Sequence, residues 1–265
     1  GARIIELEGN DHFSYAGDVE TWMGELERFI TGDVKMRPPR SRTDPSVKIV
    51  TLGRFAVDID GVDVAASEWG SRRARQLCKR LVVARGWPVT RDELIDLLWP
   101  DEFDRQRLGA RLSVQLSAVR RVLGGGVIAD RETVRLNLDE VSTDLEDFHE
   151  AVDDGAVIAA YAGEFLPEDV YDDWTGAARD EVRARFVAAA RRSATRCQEQ
   201  EQYQRAAGLA RRLIDIDQYD EDAHRMLVEA LLAGGEPGEA KRAHTSWATT
   251  MAELDIEIEP LGAGS

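Results

Sequence analysis

The sequence of 265 residues has few side chains suited to redox, disulfide or metal chemistry. It contains two cysteines, Cys78 and Cys197, and only four histidines. The cysteines lie far apart within predicted helices, so they form neither a disulfide framework nor a cluster with metal-ligand spacing. We therefore expect no metal site and no cofactor. Cysteine usage of this kind is typical of a protein in a reducing cytoplasm.

Long apolar runs and nucleotide-binding motifs are also missing. No segment approaches the roughly 18 to 20 apolar residues that a membrane-spanning helix requires, and residues 1–20 lack the basic and apolar regions of a signal peptide. We therefore expect a cytoplasmic protein without a membrane partner. No Walker A motif occurs, which argues against an ATPase module. The 43% of hydrophobic residues can form ordinary globular cores in two domains.

The net charge of −16 is unevenly distributed along the chain. Residues 47–138 contain 16 Lys and Arg against 12 Asp and Glu, a net charge of +4, while all other residues together carry −20. Binding to nucleic acid depends on Lys and Arg at the phosphates. This asymmetry is typical of a nucleic-acid-binding domain joined to an acidic partner domain.

Residues 1–35 predict a strand, a loop and a helix, and a proline-rich linker follows at residues 36–46. The loop contains Gly9-Asn10-Asp11-His12, and the block resembles the C-terminal end of an α/β-hydrolase domain, in which His12 matches the catalytic histidine. A hydrolase also needs a nucleophile, and the chain has no G-x-S-x-G motif. We therefore expect His12 to be idle and the chain not to be an enzyme. The alternative is the regulatory C-terminal part of a larger α/β-hydrolase-type enzyme.

Residues 47–138 predict a winged helix-turn-helix domain. Two β-rich segments flank Asp60-Gly61, a pair that favours a type I′ hairpin turn. Three helices are predicted next, at Ser71–Arg85, at Thr90–Leu98 and at about Asp104–Leu123; Thr90 and Glu93 have the spacing of a capping box. A final hairpin surrounds Asp130-Arg131-Glu132. Sheet, three helices and hairpin is the element order of a winged helix.

Residues 139–260 predict an all-α domain, and residues 261–265 a short tail. Ala206 and Ala240 occupy matching places in two helical segments and are 34 residues apart, which is the period of tetratricopeptide repeats. The predicted fold class is therefore mainly α with small β-sheets: a winged helix-turn-helix domain followed by a tetratricopeptide-like helical repeat domain.

The third helix of the winged-helix domain is the candidate recognition helix. With residues placed at 100° intervals, Leu112, Leu116, Val119 and Leu123 form one apolar stripe. The opposite side contains Arg107, Arg111, Val114, Ala118 and Arg121, with Gln115 at its edge. Arg111 and Gln115 are the candidate base contacts, since Arg pairs with guanine and Gln with adenine. Arg107, Arg120 and Arg121 are expected at phosphates, and Arg131 at the minor groove or backbone.

Several motifs resemble the antibiotic-regulatory, SARP-type activators of actinobacteria, in which an OmpR-type winged helix precedes a bacterial transcriptional activator domain. The resemblance depends on Leu52-Gly53-Arg54-Phe55, Arg91–Pro100, Ala110–Leu123, Asp144–Phe148, Tyr161–Leu166 and Met251–Pro260. It implies binding to double-stranded promoter DNA at direct repeats by a pair of protomers, and contact with RNA polymerase. A protein-binding adaptor with a degenerate winged helix is the remaining alternative.

Two further expectations concern side chains outside the recognition helix. The carboxylates of Glu168-Asp169 and Asp172-Asp173 predict a solvated acidic face. Five tryptophans adjoin helix ends or apolar stripes, and we expect them in cores or interfaces rather than as stacking platforms: Trp69, Trp87, Trp99, Trp174 and Trp247.

Overall fold

A computed structural model describes residues 46–260 of the chain. The hydrolase-like block with His12, residues 36–45 of the predicted linker, and the tail at residues 261–265 lie outside the described residues. The predictions made for them are not tested by the structure.

The N-terminal sheet has four strands: β1 (Val47–Val50), β2 (Ala56–Ile59), β3 (Val62–Asp63) and β7 (Val141–Thr143). Their order is β3-β2-β1-β7, antiparallel except for the parallel pair β1–β7. At the turn between β2 and β3, Asp60 and Gly61 both have positive φ, 53° and 86°. These values agree with the type I′ turn that the Asp-Gly pair predicts.

Three helices follow: α1 (Arg72–Val83), α2 (Arg91–Leu98) and α3 (Arg105–Leu123). The side chains of Ser71, Thr90 and Asp104 cap them by accepting hydrogen bonds from backbone N–H groups of the first turn. Only the Thr90 half of the predicted capping box is seen, because the Glu93 carboxylate pairs with Arg80 on α1.

A second sheet, of order β4-β6-β5, contains the hairpin that follows α3. Its strands are β4 (Val89–Thr90), β5 (Val127–Ala129) and β6 (Thr133–Leu136). The Asp130 carboxylate accepts bonds from the backbone N–H groups of Glu132 and Thr133, at 2.8 and 2.7 Å. These bonds lower the pKa of Asp130 and hold the hairpin tip, which carries Arg131, in a defined turn.

The C-terminal half is helical, with two short and four long helices: α4 (Asp144–Glu150), α5 (Asp154–Ala160), α6 (Asp173–Glu199), α7 (Tyr203–Ile216), α8 (Glu221–Ala233) and α9 (Pro237–Ala252). From α5 onwards, each helix packs against the next one in the chain. The helices α7 and α9 begin 34 residues apart, in agreement with the predicted repeat.

Hydrogen bonds to the backbone join the winged-helix half, residues 47–138, to the helical half, residues 139–260. The strand β7, which was not predicted, pairs with β1 and leads directly into α4. The Asp144 carboxylate at the start of α4 accepts bonds from the backbone N–H groups of Thr51 and Leu52 and from the Thr51 hydroxyl. Gly53 donates to the Glu164 carbonyl at 2.8 Å. A β-carbon on Gly163 would lie 3.0 Å from the Gly53 α-carbon, so this approach requires glycine.

A second set of contacts corrects the prediction of a solvated acidic face at Asp169, whereas Glu168 is exposed as predicted. The Lys79 ammonium on α1, only 4% exposed, pairs with Asp169 and lies 3.4 Å from Glu168. Arg75 approaches Glu168 at 3.3 Å. Both cations lie over the ring of Phe55. The carboxylates thus join the two halves, because the basic side of α1 faces them.

The loop that carries these carboxylates is held by Arg179 of α6. Its buried guanidinium donates to the backbone carbonyls of Phe165, Leu166, Asp169 and Val170, and to the Thr175 hydroxyl. A buried guanidinium is tolerated where its donors are satisfied in this way. Arg179 therefore fixes the loop against α6 and presents Asp169 to Lys79.

Candidate nucleic-acid interface

The candidate recognition helix α3 is buried on a wider surface than its apolar stripe predicts. Leu112, Leu116, Val119 and Leu123 are buried, as expected, and so are Leu108, Val122 and Ala118. Ala118 was predicted on the exposed side, and the structure corrects this. Besides the contacts that its main apolar stripe makes, α3 packs against α1 on a second side. A helical wheel of α3 alone does not show this second neighbour.

The solvent-exposed face of α3 consists of small side chains with arginine towards each end. Its members are Arg107, Ala110, Ser113, Val114, Ser117 and Arg121. The hydroxyls of Ser113 and Ser117 donate to the carbonyls four residues earlier, at 3.0 and 2.9 Å. Val114 is 64% exposed. The middle of this face therefore carries only small side chains.

Arg111 and Gln115, the two predicted base contacts, are held by other parts of the protein. The Arg111 guanidinium pairs with the Glu102 carboxylate and lies 4.7 Å from the centre of the Trp99 ring. Gln115 accepts a hydrogen bond from the Ser71 hydroxyl, the N-cap of α1. Base contact by either side chain stays a prediction, and it requires these bonds to be shared or broken.

The other predicted DNA contacts are solvent-exposed cations. Arg107, Arg120, Arg121 and Arg131 are exposed, and within residues 46–260 none of them forms an ion pair with a carboxylate. Arg107 and Arg121 lie on the exposed face of α3, Arg120 beside it, and Arg131 at the hairpin tip between β5 and β6. Their contact with phosphates stays a prediction.

The arginines of the helical half, by contrast, all have an oxygen partner within the protein. Each of them bonds a carboxylate, a carbonyl oxygen or an amide oxygen: Arg179, Arg183, Arg185, Arg191, Arg192, Arg196, Arg205, Arg211, Arg212, Arg225 and Arg242. Within the described residues, guanidinium groups that bond no protein oxygen occur at Arg107, Arg120, Arg121 and Arg131, and also at Arg72 and Arg135. Such groups attract polyanions without first breaking an internal ion pair.

Other kinds of site find less support in the described part of the chain. No group of three or more His, Cys, Asp and Glu side chains is arranged there to hold a metal ion. Among residues 46–260 there is likewise no helix both long and apolar enough to cross a membrane. A cleft of about 640 Å³ between α1 and the loop at residues 164–172 is lined by arginines as well as by Glu168, Asp169 and Asp172, so its charges largely compensate each other.

The tryptophans meet expectation with one exception. Trp69, Trp99 and Trp247 are buried, and Trp174 packs at the edge of the core. Trp87, in the turn between α1 and β4, is 64% exposed. Trp87 is therefore outside the core, and a place in an interface stays a prediction.

One part of the chain matches a known protein family. Residues 132–261 match the family described as the bacterial transcriptional activator domain. Just under half of the chain is therefore similar to this domain. This match confirms the predicted relation to SARP-type regulators.

One solved structure is similar in fold to most of the chain. This is Mycobacterium tuberculosis EmbR in complex with a low-affinity phosphopeptide, with a TM-score of 0.60 and 22% sequence identity. The match covers 82% of this chain and 63% of the EmbR chain, so this chain spans less than two thirds of its relative. The predicted fold class is confirmed. No curated protein sequence matches the chain.

Proposed function

We propose that this chain is a sequence-specific transcription regulator, acting as an activator, that binds promoter DNA through residues 47–138. The observation that carries the proposal is the set of arginines without acidic partners on α3 and its hairpin. The family match supports a role in transcription. The side chains assigned to phosphates are Arg107, Arg120, Arg121 and Arg131.

The geometry of α3 supports insertion into the major groove. The helix has 19 residues, and its N-cap Asp104 and first three residues are exposed to solvent. A single α-helix fits the major groove, which is about 12 Å wide. The hairpin tip at Arg131 follows the C-terminal end of α3, where a wing contacts the adjacent backbone or minor groove.

We assign residues 139–260 to protein contacts, either with a second protomer on direct repeats or with RNA polymerase. The hydrogen bonds at Asp144 and the pairs at Lys79 join this part to the winged helix. A partner bound to the helical part is thereby held at a set orientation to the DNA. We further propose that the chain acts in the cytoplasm, without catalytic activity of its own.

The test measures binding of the full chain to fluorescent duplexes selected from a random pool, with salt concentration as the variable. Removing one phosphate contact lowers the slope of log affinity against log salt by about 0.9. We expect Arg121→Ala and Arg131→Ala each to lower the slope by about that amount on every duplex. Arg225→Ala is the matched control, since Arg225 is exposed on α8 and pairs with Asp222.

The candidate base contact Arg111 is tested on the same duplexes. Arg111→Ala should weaken binding to the selected sequence by about 1 to 3 kcal/mol and relax the preference for its base. Unchanged binding in Arg111→Ala, Arg121→Ala and Arg131→Ala would refute the assigned surface. If the wild-type chain binds no duplex at moderate salt, the adaptor alternative replaces the proposal.

A further inference from the structure

The centre of the exposed face of α3 is occupied by an apolar side chain. Val114 is 64% exposed although it is the largest side chain among its neighbours Ala110, Ser113 and Ser117. A β-branched residue on a helix has one strongly preferred rotamer, so its two methyl groups point in a fixed direction. Exposure of these methyl groups to water is unfavourable in the unbound chain.

The position of Val114 along the helix places it between two cations. Arg107, Val114 and Arg121 are seven residues apart and lie within about 40° on the helical wheel. With a rise of 1.5 Å per residue, each arginine is about 10.5 Å from Val114 along the axis, and the two are about 21 Å apart. If the middle of α3 lies in the major groove, Val114 is placed at base edges and the two arginines towards phosphates on either side.

The polar side chains nearest to Val114 are already engaged. Arg111 pairs with Glu102, and Gln115 bonds Ser71. Ser113 and Ser117 donate their hydroxyl protons to backbone carbonyls, which leaves their oxygens only as acceptors. Val114 is therefore the side chain that projects furthest from the middle of this face without an internal partner.

We infer that Val114 is a specificity-determining residue that contacts the C5-methyl group of a thymine in the bound site. Thymine alone among the four bases presents a methyl group in the major groove. Contact between the valine and thymine methyl groups removes apolar surface of both partners from water. The inference rests on the proposed function and specifies one base that the recognition helix distinguishes.

The experiment replaces thymines by deoxyuridine, which differs only in lacking the methyl group. Duplexes selected by the full wild-type chain are resynthesised with one thymine changed at a time, and dissociation constants are measured by fluorescence anisotropy at fixed salt. At one position in each bound site we expect affinity to fall about fourfold, the factor that corresponds to one buried methyl group. The Val114→Ala variant should bind thymine and uracil duplexes equally at that position.

Val62→Ala is the matched control, because Val62 is a valine of similar exposure, 68%, on strand β3. It should retain the wild-type preference for thymine. The inference is overturned if no single uracil weakens wild-type binding, or if Val114→Ala keeps the full thymine preference. Either result leaves DNA binding itself intact. Absence of binding to any duplex, by contrast, removes the proposed function and this inference together.

Discussion

The ion pair between Lys79 and Asp169 allows a quantitative test of how the two halves are joined. Lys79 is 4% exposed, and its ammonium lies 4.8 Å from the centre of the Phe55 ring. Asp169→Ala removes its main partner and leaves Glu168 at 3.4 Å. Removing one member of a buried pair costs about 3 to 5 kcal/mol. Glu168 remains as a partner of Lys79, which reduces this cost, but it is well exposed and therefore a weaker partner. We expect a loss of about 2 to 3 kcal/mol in the free energy of unfolding.

Replacing the cation of this pair instead of the carboxylate should cost less stability. Lys79→Met removes the charge but keeps the length of the aliphatic chain over Phe55, and the Asp169 side chain left behind is less buried than that of Lys79, 13% against 5% exposed. We expect a loss of about 1 to 2 kcal/mol for this variant. The double variant should be more stable than the sum of both single effects predicts, by about 1 kcal/mol or more.

The measurement is urea unfolding of the full chain followed by circular dichroism. Asp63→Ala is the control, because Asp63 pairs with Arg54 at 2.9 Å and both side chains are exposed. An exposed pair contributes about 0 to 1 kcal/mol. If Asp169→Ala is no more destabilising than Asp63→Ala, or if the two substitutions at Lys79 and Asp169 are additive, the pair does not stabilise the joint.

Three further predictions concern stability and reactivity. Asp144→Ala removes the acceptor of bonds from Thr51 and Leu52, and should cost about 2 to 4 kcal/mol in the same urea titration, with partial recovery in Asp144→Asn. Burial raises the pKa of the Cys78 thiol to about 12, so Cys78 should react with a disulfide reagent at pH 8 only after unfolding. Rapid labelling of Cys78 in native protein contradicts this. Burial, with Arg85 and Arg185 nearby, lowers the pKa of His149. The unfolded chain then binds the proton first on acidification, so stability should fall as the pH drops below about 6.5. This loss should be smaller in His149→Gln, and an equal loss in both proteins would refute it.

The local signals in the sequence were sufficient to predict most elements of the fold. Ser71, Thr90 and Asp104 each cap the helix that the apolar periodicity predicts after them. The Asp-Gly pair at residues 60–61 forms the predicted turn. Helix caps and tight turns involve residues only a few positions apart. They can therefore be predicted without knowledge of the rest of the fold.

Interactions between distant segments were not predictable in the same way. Gln115 bonds Ser71, which is 44 positions away, and Asp169 pairs with Lys79 across 90 positions. A helical wheel gives the face of a residue but not the number of elements that pack on that helix, and Ala118 is buried for this reason. The strand Val141–Thr143 has only three residues, too few for an alternating pattern to be recognised.

The parallel pairing of β1 with β7 bears on where the chain can be joined to another protein in a fusion. A gene fusion joined at residue 138 would separate β1 from its neighbour and remove Asp144 from the Thr51 and Leu52 backbone. A fusion joined after residue 172 would carry both along, together with the loop of Asp169. A fusion joined after this loop should therefore fold more stably than one joined at residue 138, because it keeps these contacts within one chain.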